Sequence, residues 1–179
     1  ATAFSFLLYI LAFLAGAFVS GFLVEWVFRR NPEVSHAAPM FLEIVVLLTA
    51  VFLGINNQID KGQIACFLLF AMGLQNGLTA TISNFVVKTT HLTGLTTDLA
   101  ILISMFTKES NRHNKALVDK FHLLLSIVIA YVAGGLISGL SFAFLTYKTF
   151  YVVCFVLLII GFYDYYKLYI IKKQYLQRH

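Results

Sequence analysis

The chain has 179 residues, of which 60% are hydrophobic and only 12% charged, with 13 Lys and Arg against 8 Asp and Glu. That is about half the charge of an average soluble domain, and a globule this small exposes more surface than so few charges can cover. With a mean hydropathy of +0.85, the composition excludes soluble, disordered and collagen-like chains and leaves a multi-span membrane protein whose first partner is the lipid bilayer.

Five long apolar segments follow one another at residues 4–28, 39–55, 63–87, 117–145 and 150–171. At a helical rise of 1.5 Å per residue each covers about 30 Å of hydrocarbon, the second barely. Polar breaks separate them: Arg29-Arg30-Asn31-Pro32, Asn56-Asn57-Gln58 with Asp60-Lys61-Gly62, and Thr146-Tyr147-Lys148. A sixth apolar stretch, residues 95–106, is too short to span. Leu95, Leu99, Leu102, Ile103 and Phe106 recur at helical spacing, which predicts a short helix with one apolar face. Residue 1 is Ala and no basic region precedes the first apolar run, so residues 1–24 do not read as a signal peptide, and sequence upstream is expected. Cys66 and Cys154 sit inside apolar runs with no partner at disulfide or zinc spacing, so they read as core or lipid-facing residues.

The chain repeats itself. Shifted by 118 residues, 12–21 lies over 130–139 with Ala12, Ala15, Gly16, Ser20 and Gly21 identical to Ala130, Ala133, Gly134, Ser138 and Gly139. Each copy has small residues four apart, Ala17 with Gly21 and Gly135 with Gly139, a spacing that predicts close helix packing. If the five long segments span and 95–106 enters and leaves on one side, eleven basic residues fall on one face of the membrane and only Lys61 and Lys148 on the other. Such a bias orients the cytoplasmic side. It places the C-terminus in the cytoplasm and inverts the second repeat relative to the first, an architecture common among secondary transporters. The net charge of +5 therefore describes orientation, and a nucleic-acid partner is not expected.

Candidate functional residues lie in two polar segments. The third span holds Gly73, Gln75, Asn76, Gly77 and Asn84, and the recurrence of Gly73, Asn76, Gly77, Ala80, Ser83 and Asn84 makes one small, polar stripe. Amides in hydrocarbon need partners, so the stripe faces either other helices or a substrate path. Next, His91, Thr93, Gly94, Thr97 and Asp98 precede or open the short helix; Gly94 allows unusual backbone angles and Thr96 or Thr97 can cap. The two segments are expected to meet near mid-depth. Asp98 either answers the helix dipole or relays protons with His91. Of the other acids, Glu25 is expected to pair with Arg29, Asp164 belongs to an interfacial pattern, and Glu43 has no local partner and is a cavity candidate. No nucleophile elbow, phosphate loop, paired carboxylates or zinc-protease motif occurs, so neither an enzyme nor a metal or other cofactor is expected.

Met72-Gly73-Leu74-Gln75-Asn76-Gly77, followed after a spacer by Thr90-His91-Leu92-Thr93-Gly94-Leu95-Thr96-Thr97-Asp98-Leu99, resembles the signature of the YoaK-type bacterial multi-pass membrane proteins, a domain of unknown function. The resemblance implies a bacterial inner-membrane location. It also implies an additional N-terminal portion, carrying a first copy of the TG-containing segment, that this chain lacks. The reading is one all-α membrane domain over residues 1–179, a polytopic transmembrane helix bundle with inverted three-span repeats and a re-entrant or broken helix. Residues 4–62 are the remainder of the first repeat and 63–179 the second. The expected function is transport of a small-molecule solute; the alternative is a non-transporting subunit that scaffolds a partner through the basic loop 108–120. Association with a second copy or with a membrane partner is compatible with both.

Overall fold

The computed structural model describes residues 3–30, 35–83 and 92–176, with side chains as far as 167. Its elements are all helical: α1 (Ala3–Phe28), α2 (Ala37–Ile55), α3 (Lys61–Ile82), α4 (Leu92–Met105), α5 (Glu109–Arg112), α6 (Lys115–Leu145), a 3-10 turn (Thr146–Lys148) and α7 (Thr149–Leu176). Four helical stretches are long and apolar enough to cross a membrane: α1, α2, α3 and Lys115–Lys167. The 3-10 turn divides the fourth stretch into α6 and α7, and there Thr146 takes a left-handed φ of 48° that no helix interior accepts. The chain forms two compact units, one of α1, α2, α3 and α7 and one of α4, α5 and α6.

In the first unit, α1 and α3 lie side by side and run parallel. Their contact is made by absent side chains. A Cβ at Gly16 would strike the Phe70 carbonyl oxygen, and one at Gly73 would strike that of Phe13. At Gly77 a Cβ would sit 2.8 Å from the Ala17 carbonyl oxygen and 2.9 Å from Ser20 Cβ. Gly16 with Ser20 and Gly73 with Gly77 are thus small pairs four residues apart on facing stripes, which lets the two backbones touch. The expected register is corrected by one residue on α1. Ala17 joins the crossing through its backbone, but among the described residues nothing lies within 4 Å of a Cβ placed at Gly21.

Between these parallel helices the chain returns through α2. Asn57 adopts a left-handed φ of 51° in the turn, and Asp60 closes a capping box at the start of α3, accepting from Gln63 N at 2.7 Å while its own N–H donates to Gln63 Oε1 at 3.0 Å. Gly54 at the end of α2 lies against both Ile64 and the Tyr147 ring, whereas Met40 at its start lies near Gly161. Hence α2 is antiparallel to α3 and to α7. Val24, Met40, Ile44, Leu47, Ala71, Leu78, Cys154 and Leu157 form the core of this unit.

The second unit is a helical hairpin. Leu95, Leu102 and Leu124 are buried together, with Leu99, Phe121 and Val128 against them, and Phe106 meets the Phe121 ring edge-on at 5.4 Å. The last carbonyls of α4 are satisfied from α5, by Asn111 Nδ2 donating to Met105 O at 2.8 Å and Arg112 Nε to Phe106 O at 2.6 Å. Beyond this hairpin α6 continues with Ile129, Val132, Leu136, Ile137 and Leu140 exposed. The expectation that Gly135 and Gly139 pack on a neighbouring backbone is corrected: among the described residues both, like Gly134, have nothing within 4 Å of an added Cβ. Small residues permit an approach but do not supply a partner.

Gly73→Leu should therefore destabilise the chain by more than the ~1–3 kcal/mol of ordinary overpacking, because the obstacle is backbone and cannot rotate away. Gly139→Leu should change stability by no more than ~0.5 kcal/mol. Thermal unfolding of both variants in detergent tests the pair.

Candidate functional site

The buried face of α2 carries Pro39, Met40, Glu43, Ile44, Leu47, Ala50, Val51 and Gly54, so the carboxyl of Glu43 stands among the core hydrocarbons with 6% of the residue exposed. On α3, Ala71, Gln75 and Leu78 recur at helical spacing, and the first and last belong to the same core as Met40, Ile44 and Leu47. Gln75 thus lies on the stripe that α3 turns toward α2. Register sets the depth: Glu43 is eleven residues before Gly54, Gln75 is eleven after Ile64, and Gly54 and Ile64 are neighbours. Ser20 joins from α1. It is fully buried, one turn before Val24 of the core, and its Cβ faces Gly77, two residues or about 3 Å of rise beyond Gln75.

Three polar side chains from three helices thus occupy one level of an apolar bundle. Ser20 Oγ, Glu43 Oε2 and Gln75 Oε1 are each buried without a hydrogen-bond partner. Buried polar groups are ordinarily paired, so such a set marks either a cost to the fold or a place for something else to bind. Thr149 Oγ1, also buried and without a partner, belongs to the start of α7 near the Gly54 end of α2. From α7, Cys154 is buried in the same core.

The other expected residues fall elsewhere. Asn76 is half-buried and already has an interaction partner. Gly73 and Gly77 serve the contact with α1, so that part of the polar stripe is packing surface. The hydroxyls of Thr79 and Thr81 donate back to α3 carbonyls, at 3.0 Å to Gln75 O and 2.8 Å to Gly77 O. Asn84 and His91 lie outside the described residues. Thr93, Gly94, Thr97 and Asp98 belong to the second unit, whereas Glu43, Gln75 and Asn76 belong to the first. There α4 begins at Leu92, which corrects two expectations: Gly94 is an ordinary helical residue, and Thr96 and Thr97 are inside the helix rather than capping it. Their hydroxyls donate to Leu92 O at 3.0 Å and Thr93 O at 2.8 Å. Asp98 is half-exposed and pairs with Lys120 Nζ at 3.6 Å. Glu25 pairs with Arg29 at 2.6 Å, as the spacing predicts.

Among the described residues no group of three or more His, Cys, Asp and Glu side chains gathers as a metal would require. Ser20 is the member of the polar level that sequence reasoning missed. Its recurrence as Ser138 in the internal repeat is the signal that sets it apart.

The chain belongs to the family described as "Protein of unknown function (DUF1275)", whose model matches residues 1–163. No curated protein and no solved structure matches it.

An ion pair as open as Asp98–Lys120 adds little to stability. A double-mutant cycle with Asp98→Asn and Lys120→Met should return a coupling of ~0.2–1 kcal/mol that fades with added salt.

Proposed function

We propose that this chain is a transporter of a small solute in a bacterial inner membrane, of the YoaK type, with residues 4–62 and 63–179 as parts of two inverted repeats. The observation that carries the reading is the polar level of Ser20, Glu43 and Gln75 inside a bundle of helices apolar enough to span. Carboxyls within membrane spans are rare, and by default they mark ion or substrate pathways. In this reading Glu43 and Gln75 contact what is carried, and Asn76 lies beside them on α3.

Orientation follows from helix direction and charge. With α1, α3 and α7 running one way and α2 the other, Arg29, Arg30 and Lys167 gather toward one end of the first unit and Lys61 and Lys148 toward the opposite end. An odd number of crossings must then separate α3 from α7. The long helix α6 supplies one; α4, with 14 residues, enters and leaves on the same side. The basic ends are cytoplasmic by the positive-inside rule, and so is the C-terminus.

A scaffold role is the second reading, favoured by the row of exposed apolar residues Ile129, Val132, Leu136, Ile137 and Leu140 on α6. A helix partner seated there would turn the same bundle into a subunit of a larger assembly.

Single cysteines at positions 61 and 148 should react with an impermeant thiol reagent from outside the cell, and those at 30, 112 and 173 only from inside. Finding 30 and 112 on opposite faces removes the re-entrant path of α4 and the inverted repeat together. In proteoliposomes screened against a panel of small solutes, the wild-type chain should admit at least one class, while Glu43→Gln and Gln75→Leu lose that uptake but remain folded. A panel that enters no faster than into empty vesicles moves the scaffold reading ahead.

A further inference from the structure

The polar level in the first unit has an imbalance of charge. Glu43 Oε2 and Gln75 Oε1 are on facing stripes at one depth, and neither has a hydrogen-bond partner among the described residues. An ionised carboxylate only accepts; the Gln75 amide accepts through Oε1 and donates through Nε2, so it can meet either form of the carboxyl but cannot neutralise its charge. Among the described residues Glu43 takes part in no ion pair. The elements packed on it bring Ala71, Gln75 and Leu78 from α3, Ser20 and Val24 from α1, and Leu157 and Cys154 from α7. None of these is a cation, and the one titratable group among them, the Cys154 thiol, becomes an anion when it ionises. The charged form of Glu43 has nothing here to balance it, and burial in an apolar bundle strongly disfavours an unbalanced charge.

We propose that Glu43 binds a proton at this level and shares it with the amide oxygen of Gln75, making the first unit a reversible proton-binding site. A single proton on Oε2 converts an acceptor into a donor and satisfies both oxygens at once. The Ser20 hydroxyl, which can donate and accept, is placed to pass the proton on or to take the bond when the proton leaves. A metal cation fits less well. Hard cations take roughly six or more oxygen ligands, while this level offers four side-chain oxygens, two of them on one carboxyl, on helices whose backbone carbonyls are committed to their own ladders. The inference deepens the transport reading by naming the proton as the coupled ion. Only that coupling rests on transport, since protonation can be measured with no solute present.

The experiment is infrared spectroscopy of the full chain in lipid nanodiscs at neutral pH, reading the carbonyl stretch of a protonated carboxylic acid. The wild type should show an acid band that is lost in Glu43→Gln, displaced in Glu43→Asp, and shifted to the frequency of a weaker hydrogen bond in Gln75→Leu. Raising the pH should remove the band reversibly, and sodium at constant pH should leave it in place. An identical spectrum for wild type and Glu43→Gln, a band indifferent to Gln75→Leu, or a band abolished by sodium alone would each overturn the proposal. Should Glu43→Gln fail to fold, the shift in Gln75→Leu and the pH titration of the wild type decide it. A negative solute screen beside a band that behaves as expected rejects transport and leaves the proton site standing.

Discussion

The first unit depends on one contact, the meeting of α1 and α3 backbone to backbone. Lipid chains are as apolar as leucine, so no hydrophobic force drives two spanning helices together. What remains is close packing, and Gly16 against Phe70 with Gly73 against Phe13 makes it reciprocal. Because the two helices run parallel, the chain must return between them, and α2 is that return. Its packed face then meets α3 and α7 at a depth fixed by the Gly54–Ile64 neighbourhood. The level at which Glu43, Gln75 and Ser20 stand is a consequence of that geometry.

Polarity within the bundle is sorted by what each group can do for itself. Thr79, Thr81, Thr96 and Thr97 return their hydroxyl protons to carbonyls of their own helices, which costs the membrane nothing. Glu43 Oε2 and Gln75 Oε1 have no such route, since an amide oxygen only accepts and a carboxyl oxygen donates only when protonated. The residues with chemical potential are therefore the ones whose needs the helix cannot meet internally. Charges at the rim behave differently again. Glu25 with Arg29, Asp98 with Lys120 and Arg30 over the Trp26 ring at 4.2 Å pair with one another at accessible positions, outside the apolar core.

The second unit shows how a helix too short to span is stabilised. Leu95 and Leu102 bury against α6, and the carbonyls that α4 leaves open at its end are taken by Asn111 and Arg112. The positive guanidinium there also matches the negative end of the helix dipole. Past this hairpin, α6 carries the repeated Gly134 and Ser138, the counterparts of Gly16 and Ser20, but among the described residues nothing lies within 4 Å of a Cβ placed at Gly134. The same local sequence is docked in one copy and open in the other, because docking requires a second helix with matching small residues.

Hydrophobic length by itself determined the class and the elements. The expected segments 4–28, 39–55, 95–106, 117–145 and 150–171 became Ala3–Phe28, Ala37–Ile55, Leu92–Met105, Lys115–Leu145 and Thr149–Leu176, since an apolar run in lipid has to satisfy its backbone internally and therefore becomes helix. Glu43 and Gln75 were legible as candidates because an acid or an amide in such a run has no local partner. What the sequence left open was rotation about each helix axis. With Ala15, Gly16, Ala17, Ser20 and Gly21 in succession, α1 offers several small stripes about 100° apart, and nothing local prefers Gly16 with Ser20 over Ala17 with Gly21. Tertiary packing made that choice, through the carbonyls of Phe70 and Phe13, and with it decided that Ser20 points inward to join Glu43 and Gln75. The Asp98–Lys120 pair was closed to sequence reasoning for the same reason, since two residues 22 apart meet only once a hairpin has folded.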